Sequence, residues 1–292
     1  MVVTGIVIYF LSNWPQIFQE FPQEKIVLPG AQPVATSRSS APAVSSQTQI
    51  SSQPPQIPDS SIPVGYTRAE LSPYFQKVRI YSTYSSIYSG YPSQFQVNAY
   101  LPENQKVDIT NWKIKTNHGE FFIPQAVNVY NFSGPLFQGD IIIPGNAKIN
   151  ISTNKSPINL NFRLNECTGY LQNSYSFNPA LPQSCPSNSR PENIYLSGQC
   201  QSYISSLSSC KEPDISFYNS LPGNDEGNAC RQFLSTINQN GCFQKHHNDA
   251  NFLSNEWRIW INWDNRNNIL DSQHDTVRLF DINGLLVDQY IY

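Results

Sequence analysis

Six cysteines are the residues whose type and spacing say most about the chemistry of this chain. All of them lie in one central stretch of the 292-residue sequence. An even, clustered set is typical of a disulfide framework in an oxidising compartment. No pair has the two-residue spacing of a zinc ribbon or a redox-active dithiol, so we predict structural disulfides. The disulfide candidates are Cys167, Cys185, Cys200, Cys210, Cys230 and Cys242.

Histidine and aspartate side chains in two short segments raise the question of a metal site. The first segment contains His246, His247 and Asp249, and the second contains His274 and Asp275. Adjacent histidines on a regular helix or strand point in different directions, and neither segment has the spacing of a zincin helix. We therefore interpret these residues as surface groups and predict no metal site and no cofactor.

The loop NWDNRNNILD offers a weak alternative, a structural calcium ion. Its side chains are rich in oxygen, the ligand atom that calcium prefers. It lacks the glycine of an EF-hand loop and carries Arg266 in its middle. Asp264 and Asp271 could still supply carboxylates to calcium, but a plain turn is the favoured interpretation.

Signatures of catalysis and of nucleic-acid binding are missing from the sequence. There is no Gly-x-Ser-x-Gly elbow and no glycine-rich phosphate loop. Carboxylates such as Asp108, Glu120 and Asp214 could form a catalytic pair only through tertiary contacts. The net charge of -3 is opposite to the basic footprint of a nucleic-acid-binding protein. We predict a protein that is not an enzyme and that does not bind nucleic acid.

Tryptophans recur in the segment EWRIWINWD. On a strand, Trp257 and Trp263 share one face with Ile259 and Ile261, while Trp260 points to the other face. We assign the first set to the core, because aromatic side chains chiefly supply buried area. Trp260 is the candidate for a surface contact, such as stacking on a carbohydrate.

The elements that must position these groups are predicted to be mainly β. Tyr and Phe number 16 each against one Met, a composition that suits pleated, half-buried surfaces. From about Tyr74 onward, alternating segments are separated by turn signals roughly every ten residues, as in a β-sandwich. The last segment, HDTVRLFDINGLLVDQYIY, is typical of two strands around a tight turn. Earlier strands must complete its sheet, because a lone hairpin is only marginally stable.

The order of three motifs resembles the lamin tail domain, an immunoglobulin-like β-sandwich. The motifs are VDITNWKIKTNHGEFFIP, IIIPGNAKINIST with its Pro-Gly turn, and the terminal hairpin segment. The resemblance covers about Val78 to Ser152 and Glu256 to Tyr292, and the chain as a whole resembles uncharacterised bacterial, membrane-anchored proteins of this kind. It implies an immunoglobulin-like sandwich and a non-catalytic binding or attachment role. The residues that define the fold under this resemblance are Trp112, Gly145, Asp275, Asn283 and Gly284.

Between the two matched parts lies an insertion, at about residues 160–252, that holds every cysteine and that the family does not normally carry. Its sequence predicts one helix from about Pro191 and a second from Asp225 to about Gly241. Cysteines ten residues apart on one helix lie about 15 Å apart, too far to bridge, so the disulfides must cross between the helices. Among the possible connectivities, the antiparallel helix pair predicts Cys210–Cys230 and Cys200–Cys242, which leaves Cys167–Cys185.

The N-terminal part of the chain predicts a membrane tether. Residues 1–22 begin with an apolar run that is shorter than the about 20 residues of a spanning helix. We interpret it as a membrane anchor, truncated if the start codon is assigned too late, and the alternatives are an exposed hydrophobic tail or a core strand. Residues 23–70 are rich in Pro, Ser and Gln and predict a disordered linker. Residues 71–292 then form the lamin-tail-like domain with its disulfide-braced helical insertion.

Together these features predict a membrane-anchored, extracytoplasmic module at the cell surface that binds or scaffolds without catalysis. Its ligand would be an unknown protein or glycan. One alternative is a module that binds or processes envelope glycans, with polar loops beside Trp260. Another is an intracellular, lamin-like module associated with nucleic acid or the cytoskeleton. The grouped cysteines and the acidic net charge argue against this last alternative.

Overall fold

The computed structural model describes residues 57–85, 91–188, 190–263 and 268–292. The predicted membrane anchor, residues 1–22, lies outside them, and so does most of the predicted linker. Within the described ranges, no helix is long and apolar enough to cross a bilayer. From residue 57 the chain packs against the domain, because Ile57 and Ile62 contact an apolar cluster around Leu71 and Leu286. The folded region therefore begins before the predicted boundary at residue 71.

Strands dominate the described chain, and most belong to two sheets. The larger sheet has, in spatial order, β1 (Val78–Tyr84), β2 (Gln94–Ala99), β9 (Lys148–Ser152), β11 (Leu253–Trp260), β10 (Phe162–Asn165), β6 (Ala126–Val127) and β7 (Gln138–Gly139). The smaller sheet has β13 (Leu286–Ile291), β12 (Thr276–Phe280), β4 (Lys113–Lys115) and β5 (Glu120–Phe122). A separate pair joins β3 (Lys106–Asp108) to β8 (Ile142–Pro144). The prediction of a mainly β protein is confirmed.

Period-two alternation builds one main core from both sheets. On β2, Phe95 and Val97 are buried while Gln96 between them is partly exposed, and Leu279 on β12 is buried in the same cluster. The rings of Phe95 and Phe121 meet at 5.3 Å between centroids, which links β2 with β5 of the other sheet. Trp112 enters this core just before β4 with only 2% of its surface exposed.

The terminal hairpin forms as the sequence predicts, and β4 completes its sheet by pairing with β12. The turn is held by Asp281, whose Oδ1 accepts hydrogen bonds from the backbone N–H groups of Asn283 at 2.9 Å and Leu285 at 3.0 Å. Gly284 has φ +78°, in the left-handed region that favours glycine. These contacts give the Asn-Gly turn a structural role.

Two other residues expected to define the fold are also fixed by close backbone contacts. The fully buried carboxylate of Asp275 accepts hydrogen bonds from the backbone N–H groups of Asn117 and Asp271, at 2.9 and 3.0 Å. It thereby joins the turn after β4 to the start of β12. At Gly145 an added Cβ would lie 2.1 Å from the carbonyl oxygen of Leu101, so only glycine fits this turn.

The insertion between β10 and β11 is shorter than predicted, because residues 162–165 belong to the large sheet. Helices begin where predicted, at Arg190 next to Pro191 and at Asp225, but the predicted length of both helices is wrong. The first is divided into two helices that end before Cys210, and the second ends at Leu234, with Gly241 inside a new helix. The helices are α1 (Arg190–Asn193), α2 (Gly198–Ser206), α3 (Ile215–Ser220), α4 (Asp225–Leu234) and α5 (Gln239–His246), and a 3-10 helix spans Thr168–Asn173.

All six cysteines form disulfides, which confirms the predicted framework, but the predicted pairing is wrong. The observed Cα separations of 5.1 to 6.0 Å suit normal disulfide geometry. The pairing differs because Cys210 lies beyond the end of α2 and Cys242 lies on α5, so neither cysteine lies on the helix predicted to carry it. The bridges are Cys167–Cys242, Cys185–Cys210 and Cys200–Cys230.

Candidate functional site

Trp260 lies beneath the surface, so its predicted role as an exposed contact is wrong. Only 5% of its area is exposed. Its ring packs against Phe162 at 5.5 Å and against Phe177 at 5.6 Å between centroids. Strand alternation does turn Trp260 away from the main core, but Phe177 from the insertion covers it. Trp257 and Ile259 are buried in the main core, as predicted.

Polar side chains cover the opposite side of the large sheet from the main core, beside Trp260. Strand register places Gln96 on β2 opposite Asn150 on β9, and Asn150 opposite Arg258 on β11. One row along, Ser152 lies opposite Trp260. We call this surface the polar face, defined by Ser82, Gln94, Gln96, Asn150, Ser152 and Arg258.

A cavity of about 80 Å³ opens on the polar face. Its volume is enough for a few water molecules or for one polar group of a larger ligand. Pro179 of the insertion closes one side, and Tyr84, which is 55% exposed, stands on β1 at another. The cavity therefore lies where the sheet meets the insertion.

Two buried N–H donors belong to residues that line this cavity, and both lack a hydrogen-bond partner within the described ranges. They are Nε of Arg258 and Nε1 of Trp260. A buried donor without an acceptor costs about 1–3 kcal/mol. An oxygen atom supplied by water or by a ligand would relieve that cost.

The guanidinium of Arg258 on the polar face forms an ion pair with Glu256. Arg258 contacts Glu256 with 2.9 Å between Nη2 and Oε1, and Asn150 donates its amide N–H to the same carboxylate oxygen at 2.8 Å. Burial lowers the pKa of Arg258, and the nearby Glu256 carboxylate opposes that shift. The face therefore combines amide groups, which both donate and accept, with a single paired guanidinium.

The residues weighed as metal ligands are mostly engaged elsewhere. His247 interacts through Nδ1 with the carbonyl oxygen of Phe243 at 2.9 Å, and the Asp275 carboxylate is occupied by backbone amides. His246 and Asp249 do come together, with 2.7 Å between Nδ1 and Oδ2. Sequence reasoning missed their third neighbour, Glu166. Its only signal was its position next to a cysteine, and that signal is useful only when the disulfide pairing is known.

The proposed calcium loop falls partly outside the described residues, since Asp264 is not among them. Asp271 behaves as a turn residue. Its Oδ1 accepts backbone N–H bonds from Gln273 at 2.7 Å and from His274 at 3.3 Å, and these bonds lower the pKa of Asp271. The carboxylates considered for catalysis also have local partners, since Asp214 caps α3 and Glu120 pairs with Lys113.

Comparison with known proteins gives no match to a family model, to a curated protein or to a solved structure. The fold and the site themselves define a mainly β protein with a three-disulfide helical insertion and a polar cavity at their junction. Three disulfides are typical of a protein in an oxidising, extracytoplasmic environment.

Proposed function

We propose that this protein is a non-catalytic binding module, held at the cell surface by its N-terminal segment. In this proposal the folded part is an immunoglobulin-like, lamin-tail-like sandwich that presents the disulfide-braced insertion. The three disulfides support the extracytoplasmic location. The shared core of the two sheets supports the fold assignment.

We further propose that the polar face binds a glycan, and the observation that carries this is the composition of its cavity. Amide groups of Gln94, Gln96 and Asn150 can each donate to and accept from a sugar hydroxyl. Nε of Arg258 and Nε1 of Trp260, which belong to residues lining the cavity, are buried donors without a hydrogen-bond partner among the described residues. Carbohydrates fit such a surface, because each carries many hydroxyl groups that both donate and accept hydrogen bonds, together with an apolar ring face.

An exposed aromatic ring stands beside these polar groups. Tyr84 lines the cavity with 55% of its surface exposed, so its ring is free to stack on a sugar. Glu256 is held by Arg258 and Asn150, an arrangement that favours fixing the polar face over acting as a general acid. Binding is therefore a better account of this cavity than hydrolysis.

The test is binding of soluble neutral oligosaccharides on a glycan array, followed by titration calorimetry with the best binder. Tyr84→Ala should weaken binding about 2- to 10-fold, because an aromatic contact is worth about 0.5–1.5 kcal/mol. Tyr100→Ala is the matched control, since Tyr100 is similarly exposed at 53% and lies outside the cavity lining. Absence of any array binder, or equal losses in the two variants, would contradict the proposal.

A further inference from the structure

We propose that Glu166, His246 and Asp249 form a binding site for a divalent transition-metal ion of the zinc class. One potential ligand atom from each residue lies within 4.8 Å of the other two. We call these three residues the insertion triad. They are distinct from the residues that line the cavity of the polar face, so this inference does not depend on the proposed glycan binding.

A disulfide brings the insertion triad together. Glu166 directly precedes Cys167, and Cys167 is bonded to Cys242 on α5. His246 lies four residues after Cys242 on the same helix, and residues at this spacing share one helix face. The cross-link therefore places the carboxylate next to the imidazole, although the two lie far apart in the sequence.

Hydrogen bonds fix the backbone on both sides of the insertion triad. Glu166 donates its N–H to the carbonyl oxygen of Phe252 at 3.0 Å. Asp249 donates its N–H to the carbonyl oxygen of His246 at 2.9 Å, and Phe252 donates its N–H to that of Asp249 at 3.0 Å. The side-chain amide of Asn251 donates to Oε1 of Glu166 at 2.5 Å, as an outer-shell partner orients a metal ligand. The backbone of the site is therefore fixed before a metal binds, and the ion would replace the hydrogen bond of 2.7 Å between Nδ1 of His246 and Oδ2 of Asp249.

The charge and the donor atoms of the insertion triad fit a zinc-class ion. Two carboxylates face one imidazole, and within the described ranges neither carboxylate forms an ion pair with Lys or Arg. A divalent cation would neutralise both. One nitrogen and two oxygens match the ligands of Zn²⁺, whereas Ca²⁺ prefers oxygen alone.

The surroundings of the insertion triad leave room for exchange and for a further ligand. The side chains of His246 and Asp249 are 25% and 46% exposed. A cavity of about 290 Å³ is lined by Glu166 and Asn251 but not by His246 or Asp249, so it adjoins the site only on the side of Glu166. Three protein ligands leave a coordination position for water or for an external ligand. The hydrogen bond from Asn251 holds the Glu166 carboxylate beside the pair of His246 and Asp249.

The experiment uses the untagged, oxidised chain, stripped with a chelator and then dialysed against Zn²⁺. Metal content by mass spectrometry should give one Zn²⁺ per chain, and competition with a chromophoric chelator should give the affinity. Glu166→Gln, which keeps the size of the side chain, should weaken Zn²⁺ binding by more than about 100-fold. Asn251→Ala should weaken it about 10- to 100-fold, as is typical for an outer-shell partner.

His247→Gln is the matched control, because His247 adjoins His246 and interacts with the carbonyl oxygen of Phe243. It should bind Zn²⁺ as the wild type does. Near-UV circular dichroism and a count of free thiols establish that each variant keeps its fold and disulfides. The proposal is overturned if the wild type retains no Zn²⁺, if Glu166→Gln and His247→Gln bind equally, or if Ca²⁺ is preferred to Zn²⁺.

Discussion

Asp288 offers the sharpest test of how this fold responds to pH. It lies on β13 with only 6% of its surface exposed. Its Oδ2 accepts the backbone N–H of Ile80 on β1 at 2.8 Å, so this carboxyl connects the two sheets. Burial raises the pKa of Asp288 to about 6, against the opposing effects of the Ile80 hydrogen bond and of Arg79. Asp288→Asn keeps an acceptor oxygen and removes the charge.

The size and sign of the effect follow from the difference in proton binding. The pKa of Asp288 is about 6 in the folded state against an ordinary value of 3.8. Between these values the folded state binds more protons than the unfolded state, so the free energy of unfolding falls as pH rises. This difference in pKa, about 2, corresponds to about 3 kcal/mol in the free energy of unfolding. The protein has this extra stability at acid pH and loses it as the pH rises through about 6. Asp288→Asn should therefore be more stable than the wild type at pH 7.5, by up to about 3 kcal/mol.

The assay is urea denaturation of the oxidised protein at several pH values between about 4 and 7.5, for the wild type and for Asp288→Asn. The stability advantage of the variant should shrink towards zero at the acid end. Glu103→Gln, at an exposed turn, is the control and should show no such trend. A variant that is less stable than the wild type at pH 7.5, or a difference that does not change with pH, would refute the reasoning.

Two further predictions concern the backbone and the cross-links. Replacing both Cys167 and Cys242 by Ala removes a bridge between residues 75 apart. Because the other two disulfides lie inside this loop and shorten it, the free energy of unfolding should fall by up to about 4 kcal/mol in urea denaturation, and an unchanged midpoint would contradict this. Gly145→Ala should destabilise the protein by several kcal/mol in a thermal melt, because the new Cβ would lie 2.1 Å from the carbonyl oxygen of Leu101. Gly139→Ala, where nothing lies within 4 Å of the added Cβ, should melt close to the wild type.

The strands could be predicted because their signal is local. On β12 the alternation of apolar residues determines which side chains face the core, and the Asn283–Gly284 turn sets the connection to β13. The assignment of Trp257 to the core followed from the same period of two. No distant contact was needed for either prediction.

The helix boundaries of the insertion also had local signals, which the prediction did not use. Ser197, Asn224 and Asn238 are the N-caps of α2, α4 and α5, and each side chain accepts a backbone N–H from the first turn. Treating Asn238 as a cap would have divided the second predicted helix and moved Gly241 inside α5. The disulfide pairing depended on these boundaries, so it failed with them.

By itself, the sequence determined the mainly β character, the terminal hairpin and the presence of a disulfide framework. Alternation, turn chemistry and an even cysteine count are properties of short segments or of composition, so they can be recognised without knowing how the chain packs. Only the tertiary structure decided that Phe177 covers Trp260 and that Glu166 meets His246 and Asp249. Those contacts join segments far apart in the chain, and they depend on which cysteines pair and where each helix ends. The polar face and the insertion triad each combine residues from distant segments, so the pattern of a single segment could not predict either site.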